Sequence, residues 1–159
     1  MTTLYVRIGR RYREAASAEV CEVAAAYNLE RATVERPILN SPRAAKDYLQ
    51  HQAGLDYEQF GVLWLTARHK LIKAEVLFKG TIDGSSVHPR EVVKAALANA
   101  AAEVILFHNH PSGVAEPSIS DESISVRLRD ALALIEVHVV DHLIIGANTM
   151  TSLAERGLL

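Results

Sequence analysis

The sequence predicts an α/β fold, a mixed β-sheet flanked by helices on both faces, and three observations lead there. Helical and extended patterns alternate along the 159 residues, as layered helices on a sheet require. "EVILFHNH" (103–110) is an almost unbroken apolar run, the pattern of a strand buried on both faces. "FGVLWLTA" (60–67) and "KLIKAEVLFKG" (70–80) flank a short turn at Arg68–His69, the pattern of an antiparallel hairpin.

Taken in order, residues 13–27 are rich in Ala and Glu with apolar positions at helical spacing, so a helix is expected. "RATVERPIL" (31–39) reads as extended, with Pro37 favouring an edge or strand end. Ser41 followed by Pro42 marks a helix start, because the hydroxyl caps and proline suits the first turn. After the hairpin, 81–88 reads as a loop and 89–101 as a helix opened by Pro89. Beyond the apolar strand come a helix over 118–135, a strand over 137–147 and a short C-terminal tail. Residues 1–37 are expected to form a helix/strand extension to a domain spanning 38–159.

Composition limits the function classes. Apolar residues are 49% and charged residues 23%, an ordinary globular balance. A net charge of −2 disfavours a general nucleic-acid partner, and the basic stretch at 7–14 reads as a solvated face. Cys21 is the single cysteine, so neither a disulfide within the chain nor a thiolate zinc cluster can form. No apolar run is long enough to span a membrane, and nothing at the N-terminus has the form of a signal peptide. A soluble, cytoplasmic protein is expected.

The chemistry-bearing stretch is "HNHPSGVAEPSISD" (108–121). His108 and His110 are two residues apart on a strand, so both imidazoles leave the same face. Ser118 and Asp121 share a face at the opening of the next helix. The intervening "PSGVAEP" contains two prolines and a glycine that can turn the chain back toward the strand end. Two imidazoles and one carboxylate are donors that Zn²⁺ accepts, and three protein ligands leave a position open for chemistry. The same residues also have a purely structural reading, with Ser118 capping the helix and Asp121 favoured by its dipole.

This pattern, His-x-His-Pro, with seven residues from the second His to a Ser-x-x-Asp, resembles the JAMM signature of JAB/MPN-type zinc metalloproteases. The flanks "GTIDGSSVHPREVVKAALANAAAEVILFHNHPSG" and "DHLIIG…SLAERGLL" resemble the bacterial RadC-like branch of that family. The resemblance runs from about Ile38 to the C-terminus and implies a cytidine-deaminase-like architecture. It implies zinc ligation by His108, His110 and Asp121, an oxyanion-steadying hydroxyl on Ser118 and a proton-carrying glutamate before the first long core strand. Glu58 occupies that place, although spacing alone does not separate it from Asp56, Glu75, Glu91 or Glu103.

The implied activity is hydrolysis of amide or isopeptide bonds in a protein or peptide substrate. Two alternatives belong to other classes: a catalytically idle interaction module, and a repair-associated RadC-like protein. A deaminase reading fails, because His-x-Glu and Pro-Cys-x-x-Cys are both missing. Of the other histidines, His51 and His69 read as surface groups, His138 as a surface or packing group and His88 as an aid to the helix start. Asp141–His142 reads as a structural hydrogen-bonding pair in preference to an outer partner of the metal site.

Overall fold

The structure is a computed structural model that describes residues 5–8, 11–16, 18–24, 36–80 and 87–159. Strands β1 (Tyr5–Ile8) and β2 (Arg11–Glu14) pair antiparallel, and residues 18–24 form helix α1. The helix expected over 13–27 therefore begins later. Pairing of Tyr12 with Arg7 and of Arg13 with Val6 draws 11–14 into a strand, and tertiary pairing overrides the local helical preference. The described residues of the basic stretch read as a solvated face lie in these two paired strands, where Arg13 and Glu14 are exposed. Glu19 receives the Ala16 amide at 2.9 Å and pairs with Arg13, which ends the strand and opens the helix. The remainder of the expected 13–27 helix, at 17 and 25–27, and most of the extended segment expected over 31–39 lie outside the described residues, as does the loop over 81–86. Ile38 makes an isolated bridge to Lys70.

Helix α2 (Pro42–Leu49) starts as expected, with the Ser41 hydroxyl accepting from the Ala44 amide at 3.2 Å. Then follow β3 (Gln59–Leu65), β4 (Leu71–Lys79), α3 (Pro89–Ala98), β5 (Glu103–Asn109), α4 (Ile119–Ala133), β6 (His138–Ile145) and β7 (Met150–Ser152). Five strands form one sheet in the order β4-β3-β5-β6-β7. Only β5 and β6 pair in parallel, so the sheet is mixed, and α4 supplies the crossover that a parallel pair requires. Strand β7 falls in the stretch expected to be a tail. Three residues carry no readable period, and pairing with β6 makes them a strand.

Both sheet faces are covered. On one, Val92 and Ala96 of α3 and Leu128 and Leu132 of α4 pack on Val62, Trp64, Val104 and Leu106. On the other, Ala45 and Leu49 of α2 pack on Leu63, Leu65, Ile105 and Phe107. β5 is central, and every residue after Glu103 is buried, so its apolar run has no solvent face to alternate with. The Phe107 ring lies across Gly61 on the neighbouring strand. A Cβ there would sit 2.3 Å from the ring, which is why the position takes glycine.

Candidate metal centre

The apolar part of β5 ends at His108, with His110 just past the strand end, on the sheet face that α4 covers. The loop after them folds back through three backbone bonds. Gly113 donates to His110 O, Ala147 donates to Gly113 O, and His110 donates to Ile145 O, at 2.8–2.9 Å. Gly113 has φ +80°, a conformation glycine adopts without steric cost. This loop delivers the N-terminus of α4 to the strand end. Ser118 is its N-cap, accepting from the Asp121 amide at 3.2 Å, while the Ser118 amide donates to Asp121 Oδ2 at 2.7 Å. The cap uses the amide and Oδ2 of Asp121, which leaves Oδ1 facing His108.

The three expected donors converge. His108 Nε2 stands 2.9 Å from His110 Nε2 and 3.2 Å from Asp121 Oδ1, and His110 Nε2 lies 3.5 Å from Asp121 Oδ2. One ligand atom from each residue falls within 4.8 Å of the other two. Donors sharing a tetrahedral zinc at about 2.0–2.1 Å stand roughly 3.3 Å apart, so this spacing fits the ion. The far side of each ring fits as well. His110 Nδ1 lies 2.8 Å from the Val114 carbonyl, which can only accept, so that nitrogen carries hydrogen and Nε2 presents a lone pair inward.

Electrostatics follow the same geometry. Burial opposes charge on Asp121, but His108 and His110 outweigh it and hold the carboxyl well below the usual carboxylate range. His110 is shifted upward, first by its bond to Asp121 against the cost of burial, then by the Val114 carbonyl and the nearby charge of Glu58.

Glu58 is half-buried and directly precedes β3, whose Phe60 pairs with His108, so the antiparallel register brings it beside His110. The competing acids are elsewhere. Glu75 bonds Trp64 Nε1 at 3.0 Å and Lys73 at 2.6 Å; Glu91 pairs with Lys94; Glu103 pairs with His69 at the opposite end of β5; Asp56 is exposed. Ser118 lies against the donors, its hydroxyl donating to Asp121 Oδ2 at 2.7 Å.

The Asp141–His142 pair divides between the two sheet faces. Asp141 is structural as expected: it accepts from the Ser152 hydroxyl at 2.6 Å and the Ala154 amide at 3.1 Å, fastening β7. His142 corrects the expectation. It lies on the α4 face, with Nε2 2.9 Å from His108 Nδ1 and Nδ1 2.6 Å from the Ser125 hydroxyl. Burial, then the neighbouring His108, keeps its affinity for a proton well below that of an ordinary histidine. Ser125 and Asn109 went unnoticed in the sequence; a hydroxyl inside a helix and an amide between two histidines carry no signal of their own. His88 caps α3 without a side-chain bond and meets the Phe78 ring edge-on, and His69 pairs with Glu103 at 2.6 Å. Among the described residues no helix is long and apolar enough to cross a membrane.

The model of the RadC-like JAB domain family matches residues 39–158. The chain is also similar to UPF0758 proteins. That of Leptothrix cholodnii is 56% identical over 126 residues, covering 79% of this chain and 57% of the relative. That of Pseudoalteromonas translucida is 52% identical over 141 residues, covering 88% and 62%. The chain thus spans about 60% of the length of these curated relatives. The mixed sheet, the helices on both faces and the converged His-x-His and Ser-x-x-Asp residues lie within the matched region, and on that match the chain belongs to the RadC-like JAB domain family.

Proposed function

We propose that the chain is a zinc-dependent hydrolase of amide or isopeptide bonds, acting on a protein or peptide substrate. The observation that carries this reading is the convergence of His108, His110 and Asp121, with the outer nitrogens of both rings already engaged. Three such donors are the open ligand set of hydrolytic zinc sites, in contrast to closed structural ones. When bound, zinc supplies a Lewis acid that polarises a carbonyl and acidifies water.

The chain's own residues do the rest. Glu58, beside His110, takes the proton of the attacking water and delivers it to the leaving nitrogen as the C–N bond breaks. Ser118 turns its hydroxyl from Asp121 Oδ2 toward the developing oxyanion, and the Ser118 amide retains Oδ2 during the swing. The complete donor set favours this reading over the idle scaffold.

Elemental analysis of the purified protein tests it, with His108→Ala beside it. One zinc per chain is expected for the wild type and none for the variant. The zinc-loaded protein, incubated with linear and isopeptide-linked peptides and followed by mass spectrometry, is expected to release amine products that disappear in Glu58→Gln. A wild-type chain that takes up no zinc from metal-replete buffer overturns the reading.

A further inference from the structure

Behind the three donors runs a buried chain of hydrogen bonds that begins at one of them and ends on the backbone of another. His108 Nδ1 is 2.9 Å from His142 Nε2, His142 Nδ1 is 2.6 Å from Ser125 Oγ, and Ser125 Oγ is 2.5 Å from the Asp121 carbonyl. His108 is 2% exposed; His142 and Ser125 are 0% exposed. The Phe60 ring packs edge-on against His142 and stacks beside His108.

The direction of the chain follows from its last member. A carbonyl oxygen only accepts, so the Ser125 proton lies on Asp121 O, and the hydroxyl offers His142 a lone pair. His142 Nδ1 therefore carries hydrogen. A neutral ring is the form full burial permits, so Nε2 is bare and accepts from His108 Nδ1. His108 Nε2 is left as a lone pair aimed at His110 and Asp121. Parallel pairing sets this up, because Leu106 stands opposite His142 and both residues share the face that α4 covers.

We propose that His142 and Ser125 are positioning residues of the metal centre. They hold His108 in its Nδ1–H tautomer and tie the orientation of its ring to the turn of α4 that carries Asp121. This inference rests on the reading of His108, His110 and Asp121 as metal ligands. Outer hydrogen-bond partners of ligating histidines typically contribute 10- to 100-fold in metal affinity. Ser125 gives His142 its direction, since without the hydroxyl the ring can present either tautomer to His108.

The test compares zinc dissociation constants, by chelator competition, of the wild type, His142→Phe, His142→Gln and Ser125→Ala. Thermal melts check that each is folded. The Phe variant fills the space without an acceptor and is expected to bind zinc roughly 10- to 100-fold more weakly. The Gln variant can accept from His108 and donate to Ser125, so it is expected to recover most of that loss. Ser125→Ala is expected to fall between the wild type and His142→Phe. Ring-nitrogen NMR of the metal-free wild type at about pH 8.5, above the ordinary histidine range, is expected to show His108 protonated on Nδ1. A folded Phe variant with wild-type affinity, a Gln variant no better than Phe, or a His108 proton on Nε2 overturns the proposal. Where the Phe variant does not fold, Ser125→Ala and the wild-type spectrum decide. A wild type that binds no zinc refutes the ligand reading instead, and the spectrum then decides the hydrogen-bond chain alone.

Discussion

Asn109 brackets Glu58. Its side chain donates to the Tyr57 carbonyl at 2.8 Å and accepts from the Gln59 amide at 2.9 Å, so the backbone on both sides of Glu58 is held by the residue between the two histidine donors. Asn109 is buried, and removing its amide leaves two backbone groups without partners at the edge of the β3–β5 ladder. Asn109→Ala is expected to cost about 2–6 kcal/mol, from about 1–3 kcal/mol for each group left unpaired. Urea unfolding measures this, and a midpoint equal to that of the wild type would show that the clamp contributes nothing.

Metal removal has a thermodynamic signature. Zinc at about 100 times its dissociation constant stabilises a folded protein by about 2.7 kcal/mol. For a domain of this size that corresponds to roughly 5–10 °C in melting temperature. A chelator is expected to lower the wild-type midpoint by that amount and to leave His110→Ala unmoved. An equal chelator effect on both proteins would place the stabilising ion elsewhere.

Gly146 sets the distance between the end of β6 and the loop that follows the histidines. A Cβ there would lie 2.5 Å from Gly113 O and 2.9 Å from the Ala115 amide, backbone atoms that move only with the whole loop. That loop carries the Val114 carbonyl that holds His110 Nδ1. Gly146→Ala is expected to cost about 1–3 kcal/mol, as overpacking does, and to weaken zinc binding as well. Loss of stability with unchanged zinc affinity would mean that the loop moves without carrying His110.

What was legible in the sequence is what local spacing determines. His108 and His110 share a face by strand parity, and Asp121 follows from the first turn of a capped helix, so the donor set could be read from fourteen consecutive residues. Strand β5 was legible because an apolar run with no polar alternation suits only a central position. The contact between His142 and His108 joins positions 34 apart and depends on the register of a parallel pair, which no local pattern specifies. Its one trace in the sequence is a histidine inside an apolar strand. The paired strands β1 and β2 and strand β7 were missed because they are short, and pairing, not propensity, makes them strands.

The proposed reaction gives Ser118 a second task besides capping, and a single substitution can separate the two. Its hydroxyl caps α4 and donates to Asp121 Oδ2, and a lost cap costs only about 1 kcal/mol. A donor to a developing oxyanion is worth about 10²–10³ in turnover. Ser118→Ala is expected to melt close to the wild type while hydrolysing about 10²-fold more slowly. A large fall in stability with unchanged turnover per folded molecule would leave Ser118 as a cap alone.

Glu58→Gln addresses the proposed proton carrier. Glutamine keeps the shape of the side chain, and the Asn109 clamp acts on the backbone around position 58, so the variant is expected to fold and to hold zinc as the wild type does. It cannot accept a proton. The water that attacks the carbonyl would lose its base and the leaving nitrogen its acid, a contribution of roughly 10²–10⁴ in rate. Removing the Glu58 charge also takes away one of the influences that raise the proton affinity of His110, so His110 is expected to titrate at lower pH in the variant. NMR titration of His110 in the metal-free protein reads that shift independently of any substrate. A variant with full hydrolytic activity would remove Glu58 from the proton path, and an unmoved His110 titration would show that the two groups do not sense one another.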